Sequence, residues 1–128
     1  MKLLLDTCTF IWIALDTPQL SDTASRLFRD PSNQVYLSAA SAWEIAVKSG
    51  QGRLSLPQSA GKFITEQRML HEIESLPISE EAALQGERLP RIHGDPFDRI
   101  LVCQAVVHGL AILTPDEAIS QYAVRVLW

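Results

Sequence analysis

Cysteine is scarce in this 128-residue chain, and the little it has is not arranged for cross-linking. Its two cysteines, Cys8 and Cys103, lie near opposite ends with no C-x-x-C pair, which excludes a disulfide framework and a zinc knuckle. An excess of basic charge is also missing. The net charge is −4, so a broad electrostatic embrace of nucleic acid is excluded and any such contact must be local. Long apolar runs are absent as well: Met1-Lys2-Leu3-Leu4-Leu5 is stopped by Asp6, inside the roughly 7–15 apolar residues of a signal peptide. No export signal or membrane span is expected, and the expected location is cytoplasmic. There is no internal repeat or low-complexity segment. What is there is 47% apolar, enough for 128 residues to bury a core without staples, and one domain over 1–128 is expected.

The apolar pattern alternates between strand and helix. Leu3-Leu4-Leu5 ends on Asp6 and reads as a strand buried on both faces. A buried helix is predicted over Thr9 to Leu15, a second where Ala24, Leu27 and Phe28 recur at helical spacing, and a strand at Val35-Tyr36-Leu37. Ser38 to Ser41 opens a helix carrying Trp43, Glu44, Ile45 and Val47 and ending at Gly50 and Gly52. An amphipathic helix carries Phe63, Ile64, Met69 and Leu70; Ile73 to Leu76 is a strand, and Ser79 with Glu80 and Glu81 starts another helix. Asp95-Pro96 is an N-cap with proline at the first helical position, in a helix closed by Gly109. Ala111 to Leu113 is a strand, Thr114 to Glu117 begins a helix, and Val124 to Leu127 is a last strand. Strands separated by helices predict a parallel sheet covered on both sides.

Four acids fall where strands give way to helices, or shortly beyond: Asp6, Glu44, Asp98 and Asp116. In open α/β sheets, functional groups gather outside the carboxyl ends of the strands. Unit charges about 4 Å apart repel by ~4 kcal/mol at an effective dielectric near 20, so a cluster of these four calls for a hard divalent cation. Each acid also has a structural explanation. Asp6 could end a strand or begin a turn. Glu44 could form a capping box with Ser41 or an i, i+4 pair with Lys48. Asp98 could complement the helix dipole near Asp95, and Thr114 with Glu117 has capping-box spacing around Asp116. Their joint occurrence outweighs the separate explanations.

The ordered combination Leu5-Asp6-Thr7, Ser38-Ala39-Ala40-Ser41-Ala42-Trp43-Glu44-Ile45, Asp95-Pro96-Phe97-Asp98-Arg99 and Leu113-Thr114-Pro115-Asp116-Glu117 resembles the PIN-domain ribonucleases, in particular the VapC-like toxins of bacterial toxin-antitoxin pairs. The resemblance spans essentially the whole chain, and the Asp95 to Arg99 run with Gln104-Ala105 is its most specific part. It implies an α/β/α sandwich with a central parallel sheet, Mg²⁺ or Mn²⁺ dependence, endonucleolytic cleavage of RNA, a homodimer and a small cognate antitoxin. The family's four acids fall on Asp6, Glu44, Asp98 and Asp116. Asp95 is expected as a helix cap or supporting group, and Thr7 and Arg99 as substrate or supporting contacts. Cys8 and Pro115 depart from the family pattern without removing a ligand.

Asp6 and Asp98 are expected as principal ligands, directly or through water, with Glu44 and Asp116 completing the pocket. Attack by water implies products with 5′-phosphate and 3′-hydroxyl ends. Arg99 suits either a phosphate or a neighbouring acid. His93 reads as structural, and Lys48, Arg53 and Arg91 are phosphate contacts only if they rim the pocket. Trp12, Trp43 and Phe97 fit core or subunit packing better than base stacking. The segment from Phe63 to Leu70 could receive an antitoxin helix. Phosphatases built on an aspartyl nucleophile need a second Asp two residues after the first, where Cys8 stands, and no cysteine-enzyme signature surrounds Cys8. The rival of a different class is a PIN-like module that binds RNA or protein without cleaving it.

Overall fold

In the computed structural model, which describes residues 1–128, leucines 3 to 5 form the central strand β1 (Lys2–Leu5), every side chain of which beyond Lys2 is buried. The elements that follow are α1 (Thr7–Ala14), α2 (Asp22–Arg29), β2 (Gln34–Ser38), α3 (Ala39–Gly50), α4 (Ala60–Leu70), β3 (Ile73–Leu76), α5 (Glu80–Gln85), α6 (Pro96–His108), β4 (Ala111–Leu113), α7 (Glu117–Ser120) and β5 (Val126–Leu127). All strand pairings are parallel and the order is β3-β2-β1-β4-β5. The sequence order therefore reverses direction at β1, which makes the β1 carboxyl end a topological switch point.

Alternation along β1 divides the core. Leu3 and Leu5 face one side, where Phe10 and Ile13 of α1, Ala24 of α2, Ile45 of α3, and Phe63 and Ile64 of α4 pack against Val35, Leu37 and Leu113. Leu4 faces the other side with Ile112, meeting Leu101, Val102 and Ala105 of α6, Ile119 of α7 and Tyr122. Helices cover both faces, giving the expected α/β/α sandwich. Cys103 is buried within the second cluster, as its apolar pattern predicts.

The helix ends follow local chemistry. Asp6, Ser21, Ser38, Ser79, Asp95 and Asp116 each accept a backbone N–H as an N-cap. Because Asp6 is a cap, α1 starts at Thr7, two residues before the sequence expectation. Ser38 caps α3, which places Ser41 inside the helix and rules out a capping box between Ser41 and Glu44. Gly109 closes α6 at φ 66°, where a Cβ is disfavoured. The last strand is shorter than expected, beginning at Val126.

Two apolar assignments are narrowed, Trp43 losing the core half of its core-or-subunit expectation. Trp43 is 65% exposed, on the side of α3 turned from the sheet, although its ring meets Phe97 edge-on at 5.3 Å. Phe63 is only 1% exposed and belongs to the core, so it is not part of an open groove; the exposed apolar end of α4 consists of Met69 and Leu70. No helix is long and apolar enough to cross a membrane.

Candidate metal centre

Parallel register builds the site. Leu5 pairs with Leu37 on one side and Leu113 on the other, so the residues just past them, Asp6, Ser38 and Thr114, emerge together at one edge of the sheet. Asp6 is buried; its Oδ1 accepts the Thr9 amide at 2.8 Å, and its Oδ2 accepts the Thr114 hydroxyl. Thr114 in turn accepts the Asp116 amide at 3.0 Å, and the Thr9 hydroxyl donates to the Leu113 carbonyl at 3.0 Å. These bonds lash β1 to β4 and fix the Asp6 carboxylate. The sequence offered Thr114 only as a capping-box residue; its place one residue past a strand that pairs with β1 is the signal that identifies it as the support of Asp6. Thr114 is tied to Asp6, and Asp116 caps Ala118, so the capping box between Thr114 and Glu117 does not form.

Glu44 reaches the same edge from α3. Its Oε1 accepts the Thr7 hydroxyl at 2.7 Å, and its Oε2 pairs with Lys48 one turn on. Thr7 has one hydroxyl hydrogen and the carboxylate can only accept, so Ser41 supplies the hydrogen for its own 3.0 Å contact with Thr7. The pair with Lys48 is therefore present, but around a buried acid rather than on a solvated face. Thr7 acts as a support for Glu44.

Asp98 sits in the first turn of α6, half-buried, with Leu101, Val102 and Ala105 of the same face in the core. Asp95 Oδ1 accepts the amides of Phe97 at 2.9 Å and Asp98 at 3.3 Å, the expected cap. Burial, then repulsion from Asp95, Asp116 and Asp6, pushes the Asp98 carboxyl up to about 6 against the pull of a His93 hydrogen bond. Burial also raises Asp6, with Asp116 adding to the effect against hydrogen bonds from Thr114 and Thr9. The charges of Asp6, Glu44, Lys48 and Asp98 all reach Cys8, whose thiol is pushed up chiefly by partial burial and then by the acids, which disfavours its nucleophilic thiolate form.

Arg99 pairs with no acid; its guanidinium is bonded to backbone carbonyls and a phenol. It donates to the carbonyls of Pro90 at 2.9 Å and Leu89 at 3.4 Å and to the Tyr122 hydroxyl at 3.3 Å. Of the other basic candidates, Lys48 is held by Glu44, Arg53 donates to Gln51 away from the acids, and Arg91 lines a cavity of about 550 Å³ with His93, Pro96, Arg99 and Ile100. Tyr122, which carried no sequence signal, joins this side of the site through His93.

The donor set is all oxygen, and two of its carboxylates are desolvated and mutually repelling, which fits a hard divalent cation. No group of three or more acidic, histidine or cysteine side chains stands close enough together to hold a metal ion, so any ion here rests on one or two carboxylates.

A three-layer parallel sandwich with carboxylates gathered past its central strands defines a class of α/β proteins with an acidic site at the switch point. The family model for the PIN domain matches residues 3–125, and the chain belongs to that family. Ribonuclease VapC22 of Mycobacterium tuberculosis is 25% identical over 120 residues, 93% of this chain and 90% of that protein. Ribonuclease VapC16 of the same organism is 31% identical over 77 residues, 60% of this chain and 52% of that protein. The fold matches the VapBC2 structure from Rickettsia felis, bound to a promoter DNA fragment, with TM-score 0.71 at 12% identity over 99% of this chain and 98% of that one. It also matches DNA-bound VapBC from Salmonella typhimurium with TM-score 0.70 at 18% identity, over 99% of this chain and 97% of that one.

Proposed function

We propose that this chain is an endoribonuclease dependent on Mg²⁺ or Mn²⁺ and acts as the toxin of a toxin-antitoxin pair. The observation that carries the reading is a pair of desolvated carboxylates, Asp6 and Asp98, with the charge of Asp6 adding to the rise at Asp98, in a PIN-family chain whose relatives are named ribonuclease VapC. Asp6 and Asp98 are the principal holders of the cation, with Asp116 beside them and Glu44 completing the acidic wall. When bound, such an ion supplies positive charge for a phosphodiester oxygen and lowers the pKa of water.

The chain's own residues do the rest. Thr9 and Thr114 hold Asp6 in place and oppose part of the rise that burial causes; Thr7, Ser41 and Lys48 hold Glu44; Asp95 anchors the turn that carries Asp98. Residues 1–128 work as one domain. The partners are an RNA substrate, a small antitoxin protein of the kind its structural neighbours are complexed with, and a second copy of the chain.

Growth of a bacterial host separates this reading from a silent binding module. Wild type expressed without an antitoxin arrests growth, and Asp6→Asn, still folded by circular dichroism, does not. Equal arrest by both would favour the binding module.

A further inference from the structure

We propose that His93 is a positioning residue for Asp98, locked as the Nε2–H tautomer by Tyr122, so that it tethers one carboxylate oxygen and leaves the other to the cation. The inference rests on the assignment of Asp98 as a ligand, and hydrogen counting at Tyr122 carries it.

The Tyr122 side chain is buried, and its hydroxyl has three neighbours: Arg99 Nη1 at 3.3 Å, the His93 backbone amide at 3.4 Å and His93 Nδ1 at 2.7 Å. A guanidinium and a backbone amide can only donate, and a phenolic oxygen offers two lone pairs and one hydrogen. These two donors, both long, face the lone pairs, and the hydroxyl hydrogen goes to His93 Nδ1, the shortest of the contacts and the acceptor among them. With Nδ1 accepting, the neutral ring carries its hydrogen on Nε2. That nitrogen faces Asp98 Oδ2 at 3.3 Å, at the long end of hydrogen bonding, where only a donor is useful to a carboxylate.

The lock is itself anchored. Arg99 is held by the carbonyls of Pro90 and Leu89, so the series Arg99, Tyr122, His93, Asp98 ties the start of α6 to the segment after α7. Asp98 Oδ1 has no protein partner, while Oδ2 does. The same tautomer keeps His93 from being a metal ligand: one nitrogen is occupied and the other protonated. Groups that orient a ligating carboxylate in this way commonly affect metal affinity by roughly 10- to 100-fold.

The test uses the intact protein labelled with ¹⁵N-histidine; with three histidines, substitution assigns the resonances. Wild type should show His93 protonated at Nε2 and bare at Nδ1, with Tyr122→Phe erasing the preference. Titration with Mn²⁺ alone, followed by calorimetry, should show His93→Ala binding about 10- to 100-fold more weakly. His93→Gln, whose amide nitrogen reaches the Nε2 position, should recover most of the loss, and thermal melts identify folded variants. Protonated Nδ1, unchanged affinity in His93→Ala, or a folded His93→Gln no better than His93→Ala would overturn the proposal. If wild type binds Mn²⁺ and Asp98→Asn does not while His93→Ala matches wild type, the role of His93 alone fails. If wild type binds no Mn²⁺, the assignment of the acids fails with it.

Discussion

At the scale of single residues, the four acids are not equivalent. Asp98 and Asp6 have raised carboxyl pKa values because they are desolvated and crowded by like charge, whereas both oxygens of Glu44 are engaged by Thr7 and Lys48. Glu44→Gln should therefore weaken Mn²⁺ binding less than Asp98→Asn does, as titration calorimetry of the two variants would read. Asp98 also sets a pH dependence. Its carboxyl is raised from 3.8 to about 6, so between those values the folded protein holds a proton that the unfolded chain has released. Stability from this group is complete below about pH 4 and is lost as pH rises through about 6. Without divalent cations, Asp98→Asn should melt several degrees above wild type at pH 7 and alongside it near pH 4. Added Mg²⁺ should narrow the gap at pH 7 by favouring the ionised form.

At the scale of elements, α4 shows what could and could not be read in advance. Its apolar spacing placed the helix correctly but did not say which apolar residues would be used. Phe63 and Ile64 meet the sheet, and Met69 and Leu70 project from the last turn, 75% and 70% exposed. Phe63→Ala should cost about 3–5 kcal/mol in a denaturant titration, whereas Leu70→Asp should leave the midpoint within error. An antitoxin that uses α4 would have to use Met69 and Leu70, and Leu70→Asp would then weaken the complex in a pull-down without unfolding the toxin. Strand and cap positions were more legible, because Asp, Ser and Asp-Pro before apolar runs act through contacts within one turn. Ser79 and Asp95 are caps as read, whereas Asp6 and Asp116 are caps that were not read, since the first helix was expected from Thr9 and a box was expected on Thr114. The support Thr114 gives Asp6, the part played by Tyr122 and the fixed role of Arg99 were not legible. Each depends on which segments the sheet order brings together, and no local spacing encodes that.

At the scale of the whole molecule, the order β3-β2-β1-β4-β5 sets the ends of β2, β1 and β4 side by side, which brings Asp6 and Asp116 within electrostatic reach of each other. The net charge of −4 is then consistent with nuclease chemistry, since part of the acidity is concentrated where a cation would offset it. Hydrolysis by water should leave 5′-phosphate and 3′-hydroxyl ends, which end-labelling and ligation would distinguish from a 2′,3′-cyclic phosphate. The cyclic product requires attack by the RNA's own 2′-hydroxyl. The most direct measurement is cleavage of a panel of structured and single-stranded RNAs with Mg²⁺ or Mn²⁺, comparing wild type, Asp98→Asn and wild type with chelator. The account predicts cuts by wild type, loss of cleavage in chelator, and a fall of roughly 10²- to 10³-fold in Asp98→Asn, the scale of losing one group that stabilises developing charge. Equal cutting by Asp98→Asn, or undiminished cutting in chelator, would contradict it.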